Sequence, residues 1–334
     1  MLKIYEKIKD FIKENYKTII VYGIIIAIFV INLPYYISAP GGLIDTKKRI
    51  LTDEAFEMKG SLNMAYVTEI HANIPTYLWS FIAKDWDLEK KEEAIAKNDN
   101  EKDMIYRNKL LLEEANVMAE KVAYQNSDID YEIVNNKVFV TYIDEKAKTD
   151  LEVRDQIIEV DGNKVVDKNY LLSYVKSKNI GDALSFKVID GNKEKTKKAT
   201  LIDLEGEAKV GIIITETYEI KSGKKLKFDF SSSESGPSGG LMTSLAIYSN
   251  INRVDLTSGK KIAGTGTIEE GGKVGEISGV KYKLIGAVNN KADVFLVPKG
   301  ENYNEAKKLK KDRGYKIDLV PIETFEQALN YLLK

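Results

Sequence analysis

Glu234-Ser-Gly-Pro-Ser-Gly-Gly-Leu-Met-Thr-Ser-Leu245 is the stretch around which the rest of the chain is organised. Ser238 follows Gly236-Pro237 and precedes Gly239-Gly240, and an apolar helical pattern begins after it. Proline is well tolerated at the first turn of a helix, where its missing N–H would be unpaired in any case. The glycines let other backbone come close. Leu241, Leu245 and Ile247, with Met242 and Ala246, predict a helix buried on most of its faces. Ser238 then stands at a helix N-terminus, beside free N–H groups that favour developing negative charge. Two readings are open at this point: a Ser/Gly loop capping a core helix, or a nucleophile.

A second stretch, Gly275-Glu-Ile-Ser-Gly-Val-Lys-Tyr-Lys-Leu-Ile-Gly-Ala287, bears on the choice. On a helix, Val280, Leu284 and Ala287 share one face, with Lys283 about 60° from Val280 on its border and Lys281 about 100° away on the other side. A lysine at the edge of an apolar face loses hydration, which lowers its pKa. Such an amine can serve as general base to a serine. In a chain with 50 Lys+Arg most lysines are solvated surface residues; the serine motif is what singles this one out.

Gly236-Pro237-Ser238-Gly239-Gly240, the turn Gly264-Thr265-Gly266-Thr267-Ile268, Val274-Gly275-Glu276-Ile277 and Gly279-Val-Lys-Tyr-Lys283 together resemble the proteolytic domain of Lon proteases in order and spacing. The resemblance implies Ser238 as nucleophile and Lys283 as its partner, with Thr265 supporting the dyad and Gly236, Pro237 and Gly239 shaping its loop. Gly239 replaces the alanine usual after the serine, and Ser235 stands where ATP-dependent Lon often has an acid. No Gly-x-x-x-x-Gly-Lys-Ser/Thr loop is found, so ATP-driven unfolding is not expected. With an apolar N-terminal run and a PDZ-like segment, the chain is similar to the membrane-anchored Lon-like proteases with a PDZ domain of Gram-positive bacteria.

Composition narrows the chemistry independently. At 334 residues the chain has room for two domains and an extra segment. A net charge of −1 gives no reason to propose nucleic acid as a partner. The absence of cysteine excludes disulfides, thiolate catalysis and Cys-ligated metal. With His71 the sole histidine, a histidine metal cluster is excluded, and a Ser-His-Asp triad could only use His71, whose setting is structural or surface. A hydrolase built from these residues draws its base from lysine, and no metal or cofactor is implied.

Residues 1–17 are a cytoplasmic lead in which Lys3, Lys7, Lys9, Lys13 and Lys17 outweigh three acids. Residues 18–38 are expected to form a single transmembrane anchor, the apolar run from Thr18 to Leu33 being extended by Tyr35, Tyr36 and Ile37. The preceding lysines place the N-terminus in the cytoplasm and the remainder outside the cell membrane. A cleaved signal peptide is the alternative, against which stands the long apolar core followed by Pro-Tyr-Tyr. Residues 39–125 are expected to combine a strand (Leu62–Ile70) with a charged helical segment (86–124), partly associated with the protease domain. Residues 126–204 resemble a PDZ domain of the bacterial protease type, with Asp155 and Val160-Asp-Gly162 at the matching places and Arg154 where glycine is usual. There a peptide would add as a strand beside Val138, Phe139 and Val140, facing Leu171 and Tyr174 of a short helix, and Ala183–Ile189 is the last strand. Residues 205–334 are the Lon-like proteolytic domain, and the fold class expected is α+β.

The function so implied is an ATP-independent, membrane-anchored serine endopeptidase cleaving extracytoplasmic peptides or secreted proteins. The alternative is a membrane-tethered PDZ adaptor whose Lon-like domain is silent. Assembly into a homo-oligomer is raised by the family resemblance alone.

Overall fold

The structure, a computed structural model, describes residues 2–53 and 55–334, and the side chains of Leu2 and Lys3 lie outside that description, Lys3 of the charged lead included. The chain divides into two compact units, residues 1–40 with 67–94, and residues 41–66 with 95–334.

The first unit begins with α1 (Leu2–Val30), a single helix that joins the lysine-rich lead to the apolar run without a break. It also holds the first half of β1 (Tyr35–Asp45), the end of β2 (Ser61–His71), α2 (Ile74–Ser80) and β3 (Asp87–Lys90). α2 starts at a capping box, in which Asn73 accepts from the Thr76 N–H while the Thr76 hydroxyl accepts from Asn73. β3 pairs antiparallel with Tyr35–Ser38 of β1. This corrects the expected anchor at 18–38: the helix ends at Val30, and Tyr35–Ser38 belong to a strand. Among the described residues no helix is long and apolar enough to cross a membrane. An apolar run has the same composition in a helix and in a half-buried strand, so its length overstated the helix. The His71 ring packs on Tyr36, with centroids 4.5 Å apart.

The second unit takes up β1 again at Gly41 and continues through α3 (Glu101–Gln125). An antiparallel sheet follows, from β4 (Tyr131–Ile143), β5 (Gln156–Val160), β6 (Ala183–Asp190), β7 (Lys193–Thr200) and β8 (Ile212–Ser222), with α4 (Lys168–Lys176) across one face. Its strand order is β8-β4-β5-β6-β7, closed by the short strand Lys148–Thr149. Val140, Ile157, Leu171, Phe186 and Val188 fill its core. Two expectations change here. The sheet does not end at Ile189, because the lysine-rich β7 pairs with β6 along its length. Nor does it end at residue 204, because β8 pairs with β4 from Ile212 to Ser222.

The remainder forms α5 (Gly240–Asn252), β9 (Lys261–Gly264), α6 (Val280–Asn289), β10 (Val294–Pro298), α7 (Glu301–Arg313), β11 (Asp318–Ile322) and α8 (Phe325–Leu332). β9 lies between β2 and β10, parallel to both, and β11 is parallel to β10 beyond it. Lys261–Gly264 thus align with Ser61–Met64, about 200 residues earlier, so the chain leaves this sheet, builds the antiparallel one and returns. α5 is apolar all round because it is enclosed: Leu241, Met242, Leu245 and Ile247 are fully buried between α3, α8 and the sheet.

Candidate active site

The site forms at the carboxyl end of β9, the position where parallel sheets present loops and helix N-termini. Thr265 follows the last residue of that strand and is fully buried. Its N–H donates to the Leu296 carbonyl at 3.0 Å, and its hydroxyl donates to the Ser238 carbonyl at 3.0 Å. The Gly266 N–H donates to the same Ser238 carbonyl at 2.8 Å, and the Leu241 N–H donates back to the Gly266 carbonyl at 3.1 Å. The half-buried serine is therefore fixed to the β9 turn by two donors. Helix α5 begins two residues later, with Gly239 at its N-cap and no side-chain cap. Its first two N–H groups are already used, that of Gly240 by the Pro237 carbonyl and that of Leu241 by the Gly266 carbonyl, so what the helix start offers Ser238 is the positive end of its dipole. A Cβ on Gly239 would lie 2.8 Å from Met64 Sδ on β2, the end of a flexible side chain that can move aside. Pro237 stands three residues before the helix, in the turn closed by the Gly240 N–H to its own carbonyl, rather than in the helix's first turn.

Lys283 comes from the first turn of α6, whose N-cap is Gly279 in the left-handed region at φ 70°. Val280, Leu284 and Ala287 bury one side of the helix against Ala65, Phe295 and Val297. Lys283 is only 4% exposed, deeper than a border position suggests. Its Nζ donates to Thr265 Oγ1 at 3.2 Å. An ammonium withdrawn from water is disfavoured against the neutral amine. The far side of α6 rests on β1 at Gly41, where the glycine contact is forced: a Cβ on Gly286 would meet the Gly41 carbonyl oxygen at 2.9 Å.

The loop ahead of the serine is held from two further directions. Arg49 clamps Glu234 bidentately, Nη2 to Oε1 at 2.8 Å and Nε to Oε2 at 2.9 Å, and the Ser231 N–H donates to the same carboxylate. The Gly236 N–H donates to the Asn108 carbonyl on α3 at 2.8 Å. Arg49 and Asn108 were not singled out in the sequence; lying 185 and 128 positions from their partners, they leave no local signal. Ser235, at the position that is often acidic in Lon, is exposed.

Comparison with known proteins places this arrangement. Residues 230–334 match the Lon protease (S16) C-terminal proteolytic domain. Lon protease of Neorickettsia sennetsu is 31% identical over 101 residues, covering 30% of this chain and 12% of that protein. Lon protease of Campylobacter jejuni subsp. jejuni is 28% identical over 146 residues, 44% of this chain and 17% of that protein. The chain thus spans a small part of the length of these relatives. Among solved structures, the PDZ domain of an SdrC-like protein from Listeria monocytogenes shares 24% identity with a TM-score of 0.23, over 25% of this chain and 92% of that one. The corresponding domain from Listeria innocua shares 29% identity with a TM-score of 0.22, over 23% and 92%.

The expected peptide strand is corrected by the sheet order. Val138, Phe139 and Val140 are paired on one side with Ile214–Glu216 of β8 and on the other with the start of β5, so no peptide strand can be added there. The terminal strand is β8. Beside its first residues lies a cleft of about 600 Å³, lined by Leu171, Leu172 and Val175 of α4 and by Gly211, Ile212 and Ile214. Leu171 is the one expected groove residue that lines it; the Tyr174 hydroxyl instead donates to Asp161 at 3.0 Å. The signal for this strand was Val210-Gly-Ile-Ile-Ile214, an apolar run behind a turn that had been assigned to the following domain.

Proposed function

We propose that this chain is an ATP-independent serine endopeptidase using a Ser238–Lys283 dyad. The observation that carries the reading is the buried amine of Lys283 on Thr265, the residue that also holds Ser238 at the start of α5. Lys283 Nζ, neutral, takes the proton from Ser238 Oγ as that oxygen attacks the peptide carbonyl carbon. The carbonyl oxygen gathers negative charge at the positive end of the α5 dipole, where such charge is favoured. The carbon–nitrogen bond then breaks, the ammonium returns its proton to the leaving amine, and an ester on Ser238 remains. Water, giving a proton to the same amine, opens the ester and restores the hydroxyl.

The cleft beside Ile212–Ile214 is proposed to bind an extended peptide against the open edge of β8, as PDZ-like domains do. The substrate so delivered is a peptide or an exposed protein segment. The N-terminal helix is proposed to hold the chain at the cell membrane with the catalytic domain outside, because the run from Ile19 to Val30 exposes apolar side chains all round.

The deciding experiment is cleavage of a labelled casein and of a secreted-protein mixture by the full chain, by Ser238→Ala and by Lys283→Ala, from pH 6 to 10. The expected result is loss of cleavage in both variants, with wild-type rates rising through a midpoint below the ~10.4 of free lysine. Unchanged cleavage in both variants would sink the dyad. Peptide binding without cleavage in the wild type would favour the tethered adaptor.

A further inference from the structure

Apolar surface in the first unit is concentrated on two elements. On α1, Ile19, Ile20, Val21 and Tyr22, then Ile24, Ile25 and Ile26, are each more than 40% exposed. Consecutive helical residues are 100° apart, so these side chains surround the helix. A helix apolar on every side needs cover on every side, from a protein core or from a membrane, whereas a docked partner covers one stripe. The uncharged part of the helix, Thr18–Val30, spans about 20 Å, short of the ~30 Å hydrocarbon layer. Immediately beyond it, the Asn73 side chain donates to the Phe29 carbonyl at 2.9 Å and the Leu33 N–H donates to the Ala72 carbonyl at 2.7 Å. These bonds seat the start of α2 at the end of α1. α2 and its following turn then expose Leu78, Trp79, Phe81 and Ile82, at 53% or more each. No charged residue occurs from Ala72 to Ala83. Tyr77 is the inward residue, its ring against Tyr35 and Phe81.

We infer that residues 74–82 form a second lipid-contacting element, lying in the interfacial layer of the bilayer at the leaflet where α1 ends. Tryptophan and tyrosine favour that layer, where the ring is apolar and the polar edge stays wet. The element supplies apolar depth that α1 lacks. Two features single out a bilayer as the occupant: the all-round exposure of α1, and the lysines Lys9, Lys13 and Lys17 preceding its apolar run, which complement anionic headgroups. The inference rests on the membrane reading proposed above, and its test separates the two.

The full chain carrying Trp86→Phe, which leaves Trp79 as its single tryptophan, is reconstituted into phosphatidylcholine–phosphatidylglycerol vesicles. Parallel vesicles carry lipids brominated near the headgroup or near the chain end. The expected result is flotation with the vesicles, a blue-shifted Trp79 emission, and stronger quenching by the shallow bromines than by the deep ones. Replacing Leu78, Phe81 and Ile82 together by serine should leave flotation through α1 and return the Trp79 emission towards its aqueous position, with the melting temperature of the soluble part unchanged. Flotation with Trp79 at its aqueous emission and unquenched overturns the second element while the anchor stands. Failure to float overturns both.

Discussion

Lys283 and Thr265 show how much of the candidate chemistry depends on single atoms. The Thr265 hydroxyl accepts from the lysine amine and donates to the Ser238 carbonyl, so one oxygen sets two positions at once. Thr265→Val keeps the shape and removes the hydroxyl. Losing a hydrogen bond to a charged or buried group costs about 1–3 kcal/mol. The expected outcome is a fall of about ten-fold or more in kcat with KM little changed, and recovery in Thr265→Ser. Steady-state kinetics on a short fluorogenic peptide checks this. A second buried titratable group, Glu120 on α3, lies outside that site. Burial raises its carboxyl to about 7, against which a hydrogen bond with Tyr124 works more weakly. Because the folded state binds this proton more tightly than the unfolded chain does, the stabilisation is complete below about 4.5 and is lost as pH rises through about 7. Glu120→Gln should therefore flatten the fall in stability between pH 5 and pH 8, removing about 3 kcal/mol of it. Urea melts of both proteins at the two pH values measure it, and equal slopes would place the buried proton elsewhere.

Among the elements, the serine loop and α3 form the least local arrangement. The Arg49–Glu234 pair joins the segment before strand Ile50–Thr52 to the loop that carries Ser238, and Asn108 of α3 holds the next turn. Arg49→Ala and Glu234→Ala should each lower kcat by a similar factor, about five- to a hundred-fold for a charge-assisted bond worth about 1–3 kcal/mol. The double variant should lose little more than either, since both remove the same interaction; additive losses would show that the two side chains act separately. The segments carrying Ser238, Thr265 and Lys283 were legible because glycine turns and an apolar helical period surround them. β7 was not, since Lys193-Glu-Lys-Thr-Lys-Lys198 places lysines on both faces and erases the alternation of a half-buried strand. Its one buried lysine, Lys197, is accommodated by Asp155 at 2.9 Å and Glu152 at 2.8 Å, a tertiary pairing that the local pattern does not reveal. Arg154 is a further case, an arginine at φ 87° in a turn that favours glycine. Its guanidinium bonds Asp103 and lies 5.2 Å from the Tyr106 ring, both on α3, contacts that a glycine would forgo.

In the second unit as a whole, the open edge and the serine are served by different ends of the same connections. β8 offers its first residues to the cleft, while α3 packs against the strand and limits how far the open edge extends. The groove is therefore short, and under the proposed function it would seat the last few residues of a peptide. Leu172 lines it and is half exposed, so its replacement by aspartate leaves the core of Leu171, Phe186 and Val188 intact. A charge on that wall opposes apolar peptide side chains and is itself desolvated when the groove fills. Leu172→Asp should weaken capture of apolar C-terminal peptides by ten-fold or more, an effect of about 1.4 kcal/mol. It should raise KM for long substrates while leaving kcat on a short peptide, which reaches Ser238 without the groove, unchanged. Fluorescence anisotropy with a C-terminal peptide library and kinetics on the two substrate lengths separate the terms. Loss of turnover on the short peptide as well would mean that the wall of the groove also shapes the serine loop through α3, and the two functions would then have to be treated as one.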